Sequence, residues 1–114
     1  MTMVKATFKE ILDTIMHTKG RVIDDHNNSK GCLTLSGLAT VKNSGAIVAL
    51  CDSRYFSLNR VYLDEKGMPH VSREAVAGVI QKDGISLQEG IDKYNEQQRQ
   101  FNDDMFTIEN VTLF

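Results

Sequence analysis

Apolar residues near the start of the chain recur at the spacing of one face of a helix. They stand at i, i+3, i+4, i+7 and i+8, as Phe8, Ile11, Leu12, Ile15 and Met16. Thr7 and Glu10 have the spacing of a capping box, and Gly20 offers the left-handed backbone that ends many helices. The pattern predicts an N-terminal helix that buries one face, most simply against a sheet.

The pattern then changes to one typical of strands. Stretches rich in β-branched and aromatic residues predict strands over 21–24, 32–41, 46–51 and 54–63. The composition of 26–31 favours a turn. Asn43, Ser44 and Gly45 fit a hairpin connection with glycine at its left-handed position. These signals predict a mainly antiparallel sheet of four or five strands.

Two further helices are indicated after the only proline, Pro69. Ser72 has the position of an N-cap, with Val71 and Val76 placed to pack across it, and Gly84 could end that helix. A second capping box begins at Ser86. The sequence therefore predicts a helix pair near 73–82 and 87–101, followed by a C-terminal strand within 105–113. The whole chain, 1–114, is interpreted as a single α+β domain.

Composition and charge exclude some classes of protein. Hydrophobic residues make up 41% of the chain, yet no apolar run approaches the roughly 18 residues of a membrane span. The N-terminus also lacks the pattern of a secretory signal, so we expect a cytoplasmic protein with no membrane partner. Residues 64–114 hold ten acidic and five basic side chains, whereas 1–63 hold five acidic and eight basic ones. The C-terminal half is therefore acidic.

The second predicted helix combines acidic side chains with a narrow apolar seam. Its acidic residues Glu89, Asp92 and Glu96 would repel DNA phosphates, which disfavours a DNA-reading helix-turn-helix. The seam is spaced four, three, four and three, through Leu87, Ile91, Tyr94, Gln98 and Phe101. Such a stripe suits packing against another helix, within the chain or in a second subunit.

Candidate chemistry is sparse, because the common nucleotide, zinc and hydrolase motifs are missing from the sequence. Asp24, Asp25 and His26 are adjacent, and adjacent loop residues cannot converge on one ion, so neither a metal nor another cofactor is predicted. Cys51 and His70 would form a nucleophilic pair only if the fold joined them; a buried Cys51 is the simpler interpretation. Basic and aromatic residues are interleaved from 54 to 62. Such a pattern is found on nucleotide-binding strands, but it also fits an ordinary half-exposed strand.

These observations favour a small non-enzymatic protein that binds a protein partner, with a homodimer as one form of that contact. The predicted partner surface is Glu89, Asp92, Glu96 and Arg99. One alternative is a DNA-binding regulator that uses the 73–101 helix pair. Another is a ligand-binding protein or enzyme with a pocket at Asp52, Arg54, Arg60 and His70.

Overall fold

The structure is a computed structural model that describes residues 5–26 and 31–114. Its elements are α1 Phe8–His17, β1 Arg21–Asp24, β2 Cys32–Thr34, β3 Gly37–Val41, β4 Ile47–Leu50, β5 Tyr55–Leu63, β6 Pro69–Gln81, α2 Leu87–Asn102 and β7 Ile108–Leu113. The turn predicted over 26–31 falls mostly on 27–30, outside the described residues.

The strands form one seven-stranded mixed sheet in the order β2-β1-β6-β5-β4-β3-β7. β1 runs parallel to β6, through the pairs Ile23↔His70 and Asp24↔Val71, and every other neighbouring pair is antiparallel. The prediction of four or five mainly antiparallel strands was therefore wrong. One reason is that the stretch 32–41 is two strands: β2 pairs with β1, whereas β3 pairs with β4 and β7.

Of the predicted helix pair, the first helix was wrong, because residues 73–82 belong almost entirely to β6, whereas the second, predicted over 87–101, is α2. Ser72 does not cap a helix; its hydroxyl accepts a hydrogen bond from the Glu74 N–H, 3.0 Å away, inside the strand. The register between β5 and β6 shifts twice, around Asn59, and these irregularities disrupt the alternation by which a strand is recognised in sequence. The predicted fold class is therefore corrected: residues 5–26 and 31–114 form an α+β domain with one seven-stranded mixed sheet and two helices.

Local signals elsewhere in the sequence were reliable. Thr7 and Glu10 make both hydrogen bonds of the capping box that starts α1. At the start of α2, the Ser86 hydroxyl accepts from the Glu89 N–H at 3.1 Å. Gly45 has the expected positive φ, 72°, in the β3–β4 hairpin. Each of these features depends on residues within four positions of one another, so tertiary packing did not override them.

The two helices cover opposite faces of the sheet. On the α1 face, Ile11 and Ile15 pack against strand residues that include Val61, Leu63 and Val71. On the α2 face, Ile91 and Tyr94 pack on a cluster formed by Ala39, Val41, Ala46, Val48, Leu50, Phe56, Leu58, Ile80 and Ile108. Successive strand residues point to opposite faces, so adjacent positions in β3, β4 and β5 feed different clusters.

Candidate functional site

Four polar side chains meet at the turn end of the β5–β6 hairpin, and we call them the His70 cluster: Asp25, Tyr62, Asp64 and His70. Nδ1 of His70 lies 2.8 Å from Oδ1 of Asp25, and Nε2 lies 2.8 Å from Oδ2 of Asp64. The imidazole stacks on the Tyr62 ring with centroids 4.9 Å apart. The Tyr62 hydroxyl donates a hydrogen bond to Asp25. His70 itself is only 3% exposed.

The electrostatics of the His70 cluster favour a charged imidazole. Burial opposes the charge, but hydrogen bonds to Asp25 and Asp64 outweigh that cost and raise the pKa of His70 above its ordinary value. The bond from His70 lowers the pKa of Asp64. Burial, followed by the bond to Asp25, raises the pKa of Tyr62. The arrangement, with a carboxylate oxygen 2.8 Å from each ring nitrogen of His70, favours the protonated form of the imidazole.

This geometry suits a structural role, in which hydrogen bonds hold two strands together, better than acid–base chemistry. Both ring nitrogens of His70 are engaged by carboxylates, so neither is available to a substrate. Because Asp25 follows β1 while His70 lies on β6, the cluster fastens β1 to the hairpin. Among residues 5–26 and 31–114, no group of three or more His, Cys, Asp or Glu side chains is arranged to hold a metal ion.

A groove of about 400 Å³ lies on the α1 face, between the β1–β2 hairpin and the middle of β5 and β6. Its lining is Asp24, His26, Leu33, Ala49, Cys51, Ser53, Tyr55, Phe56, Ser57, Asn59, Val71 and Val79. Asn59 is buried in it, 4% exposed, and its amide donates to the Ser72 carbonyl oxygen at 2.9 Å. Asn59 therefore joins the two strands where their register shifts.

Cys51 lines this groove but is not activated as a nucleophile. Burial, and then the nearby Asp24 carboxylate, raise the pKa of its thiol to about 11, so the thiol is protonated at neutral pH. The predicted alternative of a Cys51–His70 pair also has no geometric support. Both nitrogens of His70 bond to carboxylates, and Cys51 lines the groove whereas His70 does not.

The residues predicted to form a pocket are spread over the hairpin. Oδ1 of Asp52 lies 2.9 Å from Nζ of Lys82, and a nitrogen of the Arg54 guanidinium lies 3.0 Å from Asp83. These two ion pairs are at one end of β5. His70 is opposite Tyr62 near the other end, roughly 25 Å away at about 3.3 Å per residue.

Arg60, the fourth residue of the predicted pocket, lies between the two ends. Its Nε is 3.2 Å from a carboxylate oxygen of Glu74, on the neighbouring strand β6. Each of the four residues therefore bonds to a different acidic or basic partner, and the structure does not bring them together around one space.

The predicted partner surface lies on the solvent side of α2, where Glu89, Asp92, Glu96 and Arg99 are all exposed. Three of these side chains also make contacts within the chain. Glu89 accepts from the Ser86 hydroxyl at 3.2 Å, and Asp92 accepts from the Gln88 amide at 3.0 Å. Arg99 Nε lies 3.6 Å from Asp104. These charged side chains therefore stabilise α2 and its two ends.

The sequence interpretation missed an exposed surface at the other end of the hairpin, which we call the open face: Tyr55, Ser57, Val79 and Gln81. The pairs Tyr55↔Gln81 and Ser57↔Val79 put these residues on the same side of the sheet as α1, beyond the helix. Tyr55 is 68% exposed and Val79 is 49% exposed. The signal in the sequence was parity, because Tyr55 and Ser57 alternate with the buried Phe56 and Leu58.

Comparison of this chain with known proteins identifies no related protein or family. A scan against protein-family models finds no match, and searches of curated proteins and of solved structures also find none. Within the described residues, neither helix is long and apolar enough to cross a membrane. The function must therefore be argued from the geometry.

Proposed function

We propose that this chain is a non-catalytic protein-binding module that contacts its partner through the open face. The observation that carries the proposal is the exposure of Tyr55 and Val79 at diagonal positions on one sheet surface, next to an apolar groove. Aromatic side chains beside a concave apolar surface are typical anchors of protein interfaces. Single exposed apolar residues are ordinary, whereas Tyr55 and Val79 also line the groove, so their exposed apolar surface is continuous with its walls.

Two features support a binding role over a catalytic one. The Cys51 thiol has a raised pKa and stays protonated, so it is a poor nucleophile. Both His70 nitrogens are committed to Asp25 and Asp64. Cys51 therefore serves packing, and His70 serves the hydrogen bonds that hold β1 to the hairpin.

The acidic side of α2 remains the second candidate surface for the same function. Its residues are exposed, as a contact surface requires. We favour the open face because Tyr55 and Val79 gain apolar burial when covered, whereas Glu89 and Asp92 are hydrated and already hydrogen-bonded. The DNA-binding alternative loses its helix pair, since residues 73–81 belong to the strand β6.

Site-specific photo-crosslinking in the native host tests the proposal. A photoreactive residue at position 55 is expected to crosslink one dominant protein, while the same residue at position 92, on the solvent side of α2, does not. The purified partner should then lose about tenfold or more in affinity with Tyr55→Ser plus Val79→Ser.

Charge reversal of Glu89, Asp92 and Glu96 is the matched comparison, and should change the partner's affinity by less than about threefold. If charge reversal abolishes binding while the Tyr55 and Val79 changes do not, the contact lies on α2. If neither position crosslinks a protein, the binding proposal fails.

The groove supports a second candidate, a small apolar ligand, because about 400 Å³ with mostly apolar walls is within the size range of ligand sites. Titration with a fluorescent apolar probe tests it. Saturable binding that is lost in Cys51→Phe, a change that fills the groove, would support it. Weak, non-saturable binding that is equal in both proteins would contradict it.

A further inference from the structure

We propose that the open face binds a second copy of this chain, as a dimer with twofold symmetry. The inference rests on the proposed function and names its partner. In a twofold contact the same patch occurs on both sides, so the patch must attract itself. The charges and the shape around Tyr55 both meet that condition.

The charges beside the open face are balanced. One exposed ion pair borders it, Arg54 with Asp83, so it carries one acidic and one basic group. The Asp52–Lys82 pair lies towards α2, where the Lys82 side chain is close to Gly90. Arg54 and Asp83 have side chains 75% and 66% exposed, so they can exchange partners at low cost. In a twofold contact, Arg54 of each copy faces Asp83 of the other, and no like charges are forced together.

The shape is also self-complementary. Tyr55 projects from the rim of the same groove that it helps to line, so one surface carries both an exposed aromatic side chain and an apolar recess. Tyr55 of each copy would enter the groove of the other and contact Leu33 and Val71. The Asp24 carboxylate on the groove wall could accept a hydrogen bond from the incoming phenol.

Other surfaces of the described chain suit a second copy less well. At the β7 edge, the Asn95 side chain bonds to both the N–H and the carbonyl oxygen of Ile108, at 2.9 and 3.0 Å. Asn110, with φ of 54°, then interrupts the same edge, and β2 at the opposite edge has only three residues. Such features hinder edge-to-edge pairing. Two copies of the acidic side of α2 would repel one another.

Sedimentation equilibrium of the purified full chain tests the dimer, over about 1 to 500 µM. We expect the average mass to rise from that of a monomer towards twice that value. Tyr55→Ser should weaken association by about tenfold or more. Glu96→Lys, a charge reversal on α2, is the control and should leave association unchanged.

A charge-exchange experiment identifies the interface. Arg54→Glu alone places two carboxylates together across the contact, and Asp83→Arg alone places two guanidinium groups together, so each variant should be monomeric. Mixed in equal amounts, the variants should form a heterodimer, because one of its two contacts then joins the introduced glutamate to the introduced arginine and the other keeps the native pair. Native mass spectrometry resolves the heterodimer from the two homodimers by mass.

The outcomes separate this inference from the proposed function. A wild-type chain that stays monomeric throughout the range overturns the second copy as partner. The same holds for a dimer that survives both Tyr55→Ser and Arg54→Glu, or for a mixture that forms no heterodimer. A crosslink from position 55 to a different protein would then still support binding through the open face, whereas no crosslink at all would end both.

Discussion

The two ends of the β5–β6 hairpin reverse the usual placement of polar and apolar side chains. At the turn end, a histidine is buried and two carboxylates are partly buried, and each has a partner within the His70 cluster. At the other end, Tyr55 and Val79 are exposed. A buried polar group is therefore tolerated where its hydrogen bonds are complete, and exposed apolar surface indicates a contact where it is continuous.

The largest effect is expected from removing the centre of the turn end. His70→Ala leaves Asp25 and Asp64 without their shared cation, and should lower the free energy of unfolding by about 2–4 kcal/mol. His26→Ala is the matched control, because His26 also lies near an aspartate, at 3.3 Å, but has a 52% exposed side chain. The control should cost less than about 0.5 kcal/mol.

Urea denaturation at neutral pH measures both of these histidine variants. Equal losses of unfolding free energy in His70→Ala and His26→Ala would contradict a special role for the buried cluster.

The second prediction concerns the pH dependence of stability. The pKa of His70 is raised on folding, so its contribution is complete below the ordinary value of 6.5 and is lost as pH rises through the raised pKa. The pKa of Asp64 is lowered, so its contribution is complete above the ordinary value of 3.8 and is lost as pH falls through the lowered pKa. The unfolding free energy should be greatest between these two values.

Denaturation curves from pH 3 to 9 measure that profile. In His70→Ala the alkaline decline should flatten. The acid decline should shrink but persist, because Lys42 also lowers the pKa of Asp104. An unchanged alkaline decline in the variant would show that another group is responsible for it.

A smaller effect is expected between the two ends, at Asn59. Asn59→Ala removes the bond to the Ser72 carbonyl and leaves the Ser57 hydroxyl without its acceptor, which should cost about 1–2 kcal/mol. Amide hydrogen exchange near residue 72 should quicken. Ser57→Ala removes only one of the two bonds and is expected to cost less; a larger loss there would contradict the role given to Asn59.

The smallest effect on stability is expected at the open face. Tyr55→Ser and Val79→Ser remove exposed side chains and should each change the unfolding free energy by no more than about 0.5 kcal/mol. Phe56→Ala, at the next and buried position, should cost about 3 kcal/mol or more. A large loss in Tyr55→Ser would mean that this residue supports the fold and would weaken the case for a binding surface.

The sequence predicted the parts of the fold that are decided locally. The caps at Thr7 and Ser86 and the hairpin turn at Gly45 each involve neighbours in the chain, and all three are present. The segment from Ser72 was misread because its capping pattern competes with pairing to β5. Tertiary contacts decide that competition: the Tyr94 hydroxyl, from α2, accepts a hydrogen bond from the Gly78 N–H at 3.1 Å.

The candidate sites were harder to predict because they depend on strand order. The sequence indicated Asp25 and His70 as separate candidates, but only the parallel pairing of β1 with β6 brings Asp25 Oδ1 to 2.8 Å from His70 Nδ1. Predicting the open face requires knowing which side of the sheet Tyr55 faces and how far α1 covers that side. The first could be read from alternation, whereas the second depends on how the helix lies on the sheet.

The pairing of β3 with β7 has a consequence for how the chain is made. The two strands join residues about seventy positions apart, such as Thr40 with Glu109. During synthesis on the ribosome, β3 and β4 can form their hairpin early, but the outer edge of β3 stays unpaired until β7 has emerged. Nascent chains in this interval expose a β-strand edge, which is when chaperone binding would protect them most.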